Sequence, residues 1–158
     1  MSTKKAAANS DPVVAKESGV VLPRAIHLVP LDNINGFDVR PGFYETNGAT
    51  AIPGGVNFTV HSHGASGVEL LLFRREESEP FAVLPFPDHY RIGNVYSMIV
   101  FKLNIEEFEY AYRVDGPYEP EKGLIFDKSR YLLDPYAKAV TGQSAWGKTP
   151  PHGQHYKA

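Results

Sequence analysis

The sequence predicts an all-β domain: an immunoglobulin-like β-sandwich with a loose N-terminal tail and an irregular C-terminal extension. Five short apolar or alternating segments follow one another between residues 56 and 114. Turn-forming residues separate them, and the 158-residue chain contains 14 Gly and 13 Pro. No segment before Asp134 shows the apolar period of 3.6 residues that marks an amphipathic helix. Short strands joined by short turns are typical of two packed antiparallel sheets.

Three of the predicted strands lie between residues 56 and 86. Residues 56–62 alternate apolar and polar side chains, which predicts a strand with one buried face. Residues 68–73 (VELLLF) are almost wholly apolar, which predicts a strand buried on both faces. Residues 81–86 form the third strand, and Pro85 restricts one side of it because proline donates no hydrogen bond.

The other two predicted strands are residues 95–103 and residues 108–114. In the second, alternate positions share one face of the strand, and four bulky side chains fall on that face. We predict that this face lies in the core; its residues are Phe108, Tyr110, Tyr112 and Val114.

The flanks of the predicted sandwich, residues 36–130, lack this regularity. Residues 1–35 form a tail that is disordered, or contains one edge strand at residues 25–31. Residues 35–48 are rich in Gly, Pro and Asn, which predicts an ordered entry loop. Residues 131–158 form the irregular extension, in which PYAKAV after Asp134 is compatible with a single turn or a short helix.

Composition excludes several classes of function. The chain has 16 basic and 18 acidic residues, so its net charge of −2 gives no basis for binding nucleic acid or an anionic membrane. There is no cysteine, which excludes disulfides and thiolate metal sites. No apolar stretch follows the two N-terminal lysines, and no run is long enough to cross a bilayer. We therefore expect a cytoplasmic protein with neither nucleic-acid nor membrane partners.

The sequence predicts no catalytic centre, metal site or cofactor. His61 and His63 share a strand face, but no third metal ligand lies at a suitable spacing. No serine elbow, P-loop or dinucleotide fingerprint is present. The carboxylate pairs Glu76-Glu77 and Glu106-Glu107 lie in charged loops, whereas a glycosidase needs one carboxyl group in a desolvated pocket.

Aromatic residues are the remaining candidates, because flat rings can stack on the apolar faces of sugars. The chain has nine Tyr, nine Phe and one Trp. Tyr118 follows Gly116-Pro117 in a predicted turn and is the tyrosine most expected to be exposed. Trp146 lies outside the predicted strands. We therefore take Tyr118 and Trp146 as candidate carbohydrate-binding residues.

Two long stretches of sequence resemble a known family. Residues 110–147 contain YAYRVDGPY, then Phe126-Asp127, then LLDPYAKA, and residues 48–73 contain GAT, GVNF and VELLLF. In this order and spacing, these motifs closely resemble the N-terminal module of isoamylase-type glycogen debranching enzymes, a family 48 carbohydrate-binding module. The resemblance covers residues 36–147.

The resemblance implies a noncatalytic module. Such modules are immunoglobulin-like sandwiches that precede the (β/α)8 barrel of family 13 glycoside hydrolases, and debranching members hydrolyse α-1,6 branches of glycogen or starch. The barrel would begin after residue 158, so we expect no reaction from this chain alone. The YLLDPYAKAV run lies outside the strands and is predicted to dock on that barrel; the candidate docking residues are Leu132, Leu133, Pro135 and Tyr136.

The resemblance also bears on glucan binding. Related free-acting glycogen-binding modules use two tryptophans and a lysine. The corresponding positions here are Tyr118 for one tryptophan, Ala111 for the lysine, and the neighbourhood of Glu77 for the other tryptophan. Only one aromatic anchor remains, which predicts weak binding.

Two alternatives stay open at this stage: an autonomous glycogen- or starch-binding module, and a free-standing protein-interaction domain that pairs through an edge strand such as residues 81–86. The sequence does not decide between debranching, amylase and branching activity for a parent enzyme. It also leaves open the oligomeric state and whether the chain is part of a longer protein.

Overall fold

The structure is a computed structural model that describes residues 28–142 and 156–158. Within these residues the regular elements are eleven β-strands and two short 3-10 turns, which confirms the all-β prediction. The strands are β1 Asp32–Ile34, β2 Phe37–Pro41, β3 Gly48–Ile52, β4 Gly55–His61, β5 Gly67–Arg74, β6 Ala82–Pro85, β7 Arg91–Ile92, β8 Val95–Phe101, β9 Phe108–Asp115, β10 Tyr118–Glu119 and β11 Leu124–Ile125.

Two antiparallel sheets make up the sandwich. The larger sheet has the strand order β1-β2-β8-β4-β3, with β7 paired to β8. The smaller sheet has the order β6-β5-β9. A separate hairpin, β10-β11, follows β9. The candidate functional residues lie in the chain that follows β9. Because β9 is an edge strand of the smaller sheet, this part of the chain begins at that edge.

The core lies between the inner faces of the two sheets. From β9 it receives the four residues predicted for that face, and from β4 it receives Val56, Phe58 and Val60. The Phe58 ring lies 5.4 Å from the Tyr110 ring and 6.0 Å from the Phe108 ring, so aromatic contacts connect the sheets. The predicted burial of β5 on both faces is confirmed, since Leu71 and Phe73 are buried on its outer side.

The outer face of β4 is also buried, and here the prediction of a strand with one buried face is wrong. Asn57 accepts a hydrogen bond from the Phe43 amide (2.8 Å) and donates one to Thr59 (3.1 Å), and Thr59 lies 2.6 Å from the Ser97 hydroxyl. The loop after β2 covers this polar network closely. A Cβ atom on Gly42 would lie 2.3 Å from the Ser97 hydroxyl oxygen, so only glycine fits there.

Two predictions for the flanks of the sandwich need correction. The entry loop predicted over residues 35–48 contains β2, and β3 begins at its end. Residues 28–31, the described part of the strand predicted at residues 25–31, are not a strand, and the edge strand β1 begins at Asp32. β1 nevertheless pairs with β2, so part of the predicted tail belongs to the larger sheet.

Candidate functional site

Of the three positions equivalent to glucan anchors, Glu77 lies in the loop that follows β5 and Ala111 lies on the outer face of the smaller sheet. Leu71, Phe73 and Ala111 form a buried apolar cluster there. Tyr131, from the chain that follows the β10-β11 hairpin, packs against this cluster, with its ring 5.6 Å from the Phe73 ring. The face is therefore occupied by the chain's own side chains.

Lys157 covers the same face near the exit of β5. Its ammonium group lies 2.7 Å from the Glu109 carboxylate, and the Lys157 and Glu109 side chains are 7% and 10% exposed. It also donates a 2.5 Å hydrogen bond to the carbonyl oxygen of Glu77 and lies 5.0 Å from the centre of the Phe73 ring. A cation desolvated to this extent requires such partners, so these contacts fix the position of Lys157.

Main-chain hydrogen bonds attach two later segments to the free edge of β9. Leu132 and Tyr112 each donate to the other's carbonyl group, at 2.7 and 2.9 Å. Ala158 and Tyr110 do the same, at 2.8 and 2.7 Å. At these positions the main-chain groups on the β9 edge of the smaller sheet are thus hydrogen-bonded within the chain and are not available for pairing with another molecule.

Asp134 is a key residue that the sequence analysis did not single out. It is 4% exposed, and its Oδ2 atom accepts a 2.6 Å hydrogen bond from the Tyr110 hydroxyl. Its Oδ1 atom accepts a 2.8 Å hydrogen bond from the Tyr136 amide. The Asp-Pro pair was a recognisable turn signal in the sequence. The contact with Tyr110, 24 residues earlier, depends on the tertiary fold and has no local signal.

The environment of Asp134 also acts on the two tyrosines of β9. Burial raises the pKa of Tyr110 well above the usual value for tyrosine, and the hydrogen bond to Asp134 raises it further. Burial likewise raises the pKa of Tyr112, with a smaller contribution from the nearby Asp134 charge. The Tyr112 hydroxyl is buried and has no hydrogen-bond partner in the part of the chain that the structure describes.

The segment of residues 131–142 places several apolar side chains in solvent. Tyr136 is 59% exposed and Leu132 is 45% exposed, and Val140 is exposed as well. We refer to these three side chains as the docking face. Of the other predicted docking residues, Pro135 is exposed and Leu133 is half-buried. The segment forms a turn after Asp134, not a helix, so of the two structures compatible with PYAKAV the turn is the one observed.

Tyr118 lies on the β10-β11 hairpin and is 70% exposed, as predicted. Its cross-strand partner is Ile125, which is also exposed. The hairpin is held by close packing, because a Cβ atom on Gly116 would lie only 2.5 Å from the Phe126 ring. Trp146, the second candidate for carbohydrate binding, lies outside the described residues.

The structure does not bring the three positions equivalent to glucan anchors together into an open surface. Tyr118 is exposed on the hairpin, whereas Ala111 is fully buried and Glu77 binds Lys157 through its main chain. His61 and His63 are exposed, and the described residues contain no group of three or more side chains suited to a metal ion. Nor do these residues contain a helix long and apolar enough to span a membrane.

Comparison with known proteins identifies the family. Residues 46–137 match the model of the family described as carbohydrate-binding module 48 (isoamylase N-terminal domain). The chain belongs to this family. The matched region runs from just before β3 to just beyond Tyr136, so it includes the smaller sheet, the hairpin and the start of the docking face, and the larger sheet without β1 and β2.

Relatives of this module occur in much longer proteins. The chain is 40% identical over 110 residues to isoamylase SU1 of Zea mays, a match that covers 67% of this chain and 14% of that relative. Isoamylase 1 of Oryza sativa subsp. japonica is 41% identical, with the same coverage. A glycogen debranching enzyme of Serratia proteamaculans is 35% identical over 108 residues, covering 68% of this chain and 16% of that enzyme. The chain thus corresponds to a small part of each of these relatives.

Among solved structures, a pullulanase from Paenibacillus barengoltzii in complex with maltohexaose and alpha-cyclodextrin is similar to this chain. The match covers 65% of this chain and 14% of the pullulanase chain. The sequence identity is 20% and the TM-score is 0.48.

Proposed function

We propose that this chain is the noncatalytic N-terminal module of an enzyme that hydrolyses α-1,6 branches of glycogen or starch. It packs on a (β/α)8 catalytic barrel and supports it, and its own binding of glucan is at most weak. The observation that carries this proposal is the docking face: the main chain around it is fixed to the sandwich, while Leu132, Tyr136 and Val140 are exposed.

A fixed segment with exposed apolar side chains suits a protein partner. Exposed apolar side chains concentrated in one segment are typical of interaction sites, and tyrosine is enriched at the centres of such interfaces. A segment that is already ordered loses little conformational entropy when it binds. Since the chain covers only 14% of its plant relatives, the catalytic part of such an enzyme is the partner that we propose.

The occupied sheet face supports the weak-binding part of the proposal. A glucan bound there would need access to the position of Ala111, which is fully buried in the apolar cluster that Tyr131 packs against. It would also have to displace Lys157, which is buried against Glu109 and Phe73. Neither contact can be given up without exposing apolar surface or an unpaired charge.

The docking face can be tested by titrating the 158-residue chain into the catalytic region of the parent enzyme, produced as a separate polypeptide. We expect Leu132→Asp/Tyr136→Asp to weaken binding by roughly a hundredfold or more, because truncating a central interface residue costs about 2 kcal/mol and charge adds desolvation. Isothermal titration calorimetry measures the affinity. The melting temperature should change little, since both side chains are exposed.

Ile92→Asp is the matched control for this experiment. Ile92 is an exposed apolar residue on β7, outside the docking face, and its replacement should leave the affinity unchanged. Equal affinities for the wild type and the double variant would contradict the docking proposal. Equal losses for the double variant and Ile92→Asp would show that any added negative charge weakens binding, and would also contradict it.

A second candidate function, autonomous glucan binding, is favoured by one observation, the exposed pair Tyr118 and Ile125 on the hairpin. Affinity electrophoresis in glycogen separates the two functions. Under our proposal, the wild type and Tyr118→Ala migrate alike and are scarcely retarded. Strong retardation of the wild type that Tyr118→Ala abolishes would instead establish the hairpin as a glucan site, because an exposed ring whose removal abolishes binding is an anchor of the interface.

A further inference from the structure

We propose that Asp134 is the positioning residue of the docking face: bound to Tyr110, it holds the turn that follows it in the conformation that presents Tyr136. This inference rests on the proposed docking function. It concerns a residue whose carboxyl group is buried, so that it acts through the residues it binds.

The hydrogen bonds of Asp134 run in three directions. Oδ2 binds the Tyr110 hydroxyl on the inner face of the smaller sheet, at 2.6 Å. Oδ1 binds the Tyr136 amide at 2.8 Å, and the main-chain oxygen accepts from the Ala137 amide at 3.1 Å. One side chain therefore connects the sandwich core to the turn that carries the most exposed member of the docking face.

The first residue of β3, in the larger sheet, lies close to the same turn. Gly48, the first residue of β3, has φ +79°, and a Cβ atom there would lie 2.9 Å from the Cβ of Tyr136 and 3.3 Å from Oδ2 of Asp134. The left-handed conformation and the close approach both favour glycine. Asp134 thus lies where the edges of the two sheets meet, and the turn after it contacts both.

Tyr136 needs this support because burial does not hold it. Its side chain is 59% exposed, so few apolar contacts restrain the turn. Leu132 and Thr141 have main-chain bonds to Tyr112 and Lys157, so both flanks of the turn are held, and Asp134 binds the Tyr136 amide between them. Without it, the turn would have to become ordered on binding, and the entropy cost would weaken the complex.

Amide hydrogen exchange in the free chain tests the positioning directly. We expect Tyr110→Phe and Asp134→Asn each to speed exchange at the amides of Tyr136 and Ala137 by roughly tenfold or more, which corresponds to the loss of one hydrogen bond to a charged group. The double variant should exchange no faster than the faster single variant, because both changes remove the hydrogen bond between the Tyr110 hydroxyl and the charged carboxylate of Asp134. Amides of the larger sheet report any global loss of stability, which would speed exchange everywhere.

Tyr112→Phe is the matched control, since it removes a neighbouring buried hydroxyl that has no partner among the described residues. It should leave exchange at the Tyr136 amide unchanged. Wild-type protection of the Tyr136 and Ala137 amides in both Tyr110→Phe and Asp134→Asn would overturn the inference. Equal acceleration in Tyr112→Phe and Tyr110→Phe would overturn it too, since it would assign the effect to core packing.

Titration against the catalytic region separates this inference from the proposed function. If the wild type binds, Tyr110→Phe should bind roughly tenfold more weakly, with Tyr112→Phe like the wild type. Binding of the wild type and Tyr110→Phe with equal affinity would refute the positioning role and leave the docking function intact. If the wild type itself does not bind, the docking function fails, and the exchange measurement alone decides whether Asp134 orders the turn.

Discussion

Replacing Glu109 with alanine is expected to lower the free energy of unfolding by about 3–5 kcal/mol. The change leaves the Lys157 ammonium group buried against Phe73 without its counter-charge. Breaking one partner of a buried pair is costly because the remaining charge has lost water without compensation. Urea denaturation of the wild type and Glu109→Ala measures the difference.

The Glu69–Arg113 pair offers a matched control. This pair joins β5 and β9, with an N–O distance of 2.5 Å. It is more exposed than the Glu109–Lys157 pair, since the Glu69 and Arg113 side chains are 23% and 27% exposed. Glu69→Ala should cost about 1 kcal/mol or less, because solvent screens the charge that remains. A loss in Glu109→Ala no greater than that in Glu69→Ala would contradict the prediction.

A double replacement tests whether the unpaired Lys157 charge causes the loss of stability. Glu109→Leu/Lys157→Met removes both charges and should restore most of the stability, because buried pairs replaced by apolar residues are often neutral. Such a result would assign the loss in Glu109→Ala to an unpaired charge. It would also show that Lys157 belongs to the folded module, although it follows the last strand of the sandwich by more than thirty residues.

The strands that the sequence predicted are those whose signal is local. In β9 the alternation of residues 108–114 predicted the buried face, and the observed strand, Phe108–Asp115, extends one residue further. β3 was missed because its alanines and glycine carry little apolar signal. That strand exists because it pairs with β4 over five positions, from Gly48–Thr59 to Ile52–Gly55, and pairing partners cannot be read from one segment.

The candidate site shows the same division between local and long-range signals. A turn after Gly116-Pro117 was enough to predict that Tyr118 is exposed. Asp134 and Lys157 were not predicted, because an acidic or basic side chain in an irregular segment is most often solvated. Their burial follows from Tyr110 and Glu109, adjacent residues of β9 whose side chains point to opposite faces of the smaller sheet.

The second large effect that we expect is in the core, at Phe58. Phe58→Ala should lower the free energy of unfolding by about 3–5 kcal/mol, since the removed ring is fully buried and leaves a cavity between the sheets. Tyr118→Ala removes a ring of similar size that is 70% exposed, and should change stability by about 0.5 kcal/mol or less. Thermal or urea unfolding of the wild type and both variants measures the two changes in the free energy of unfolding.

This pair of variants separates the two roles that an aromatic residue can have in such a module. A large loss in Tyr118→Ala would mean that the hairpin is part of the core, and its ring would then be a poor candidate for binding any ligand. Phe58→Ala should have a further effect, because the Phe58 ring contacts Tyr110, the donor to Asp134. We expect faster amide exchange at Tyr136 even under conditions where Phe58→Ala remains folded. The docking face would then depend on packing between the sheets as well as on the hydrogen bond that anchors it.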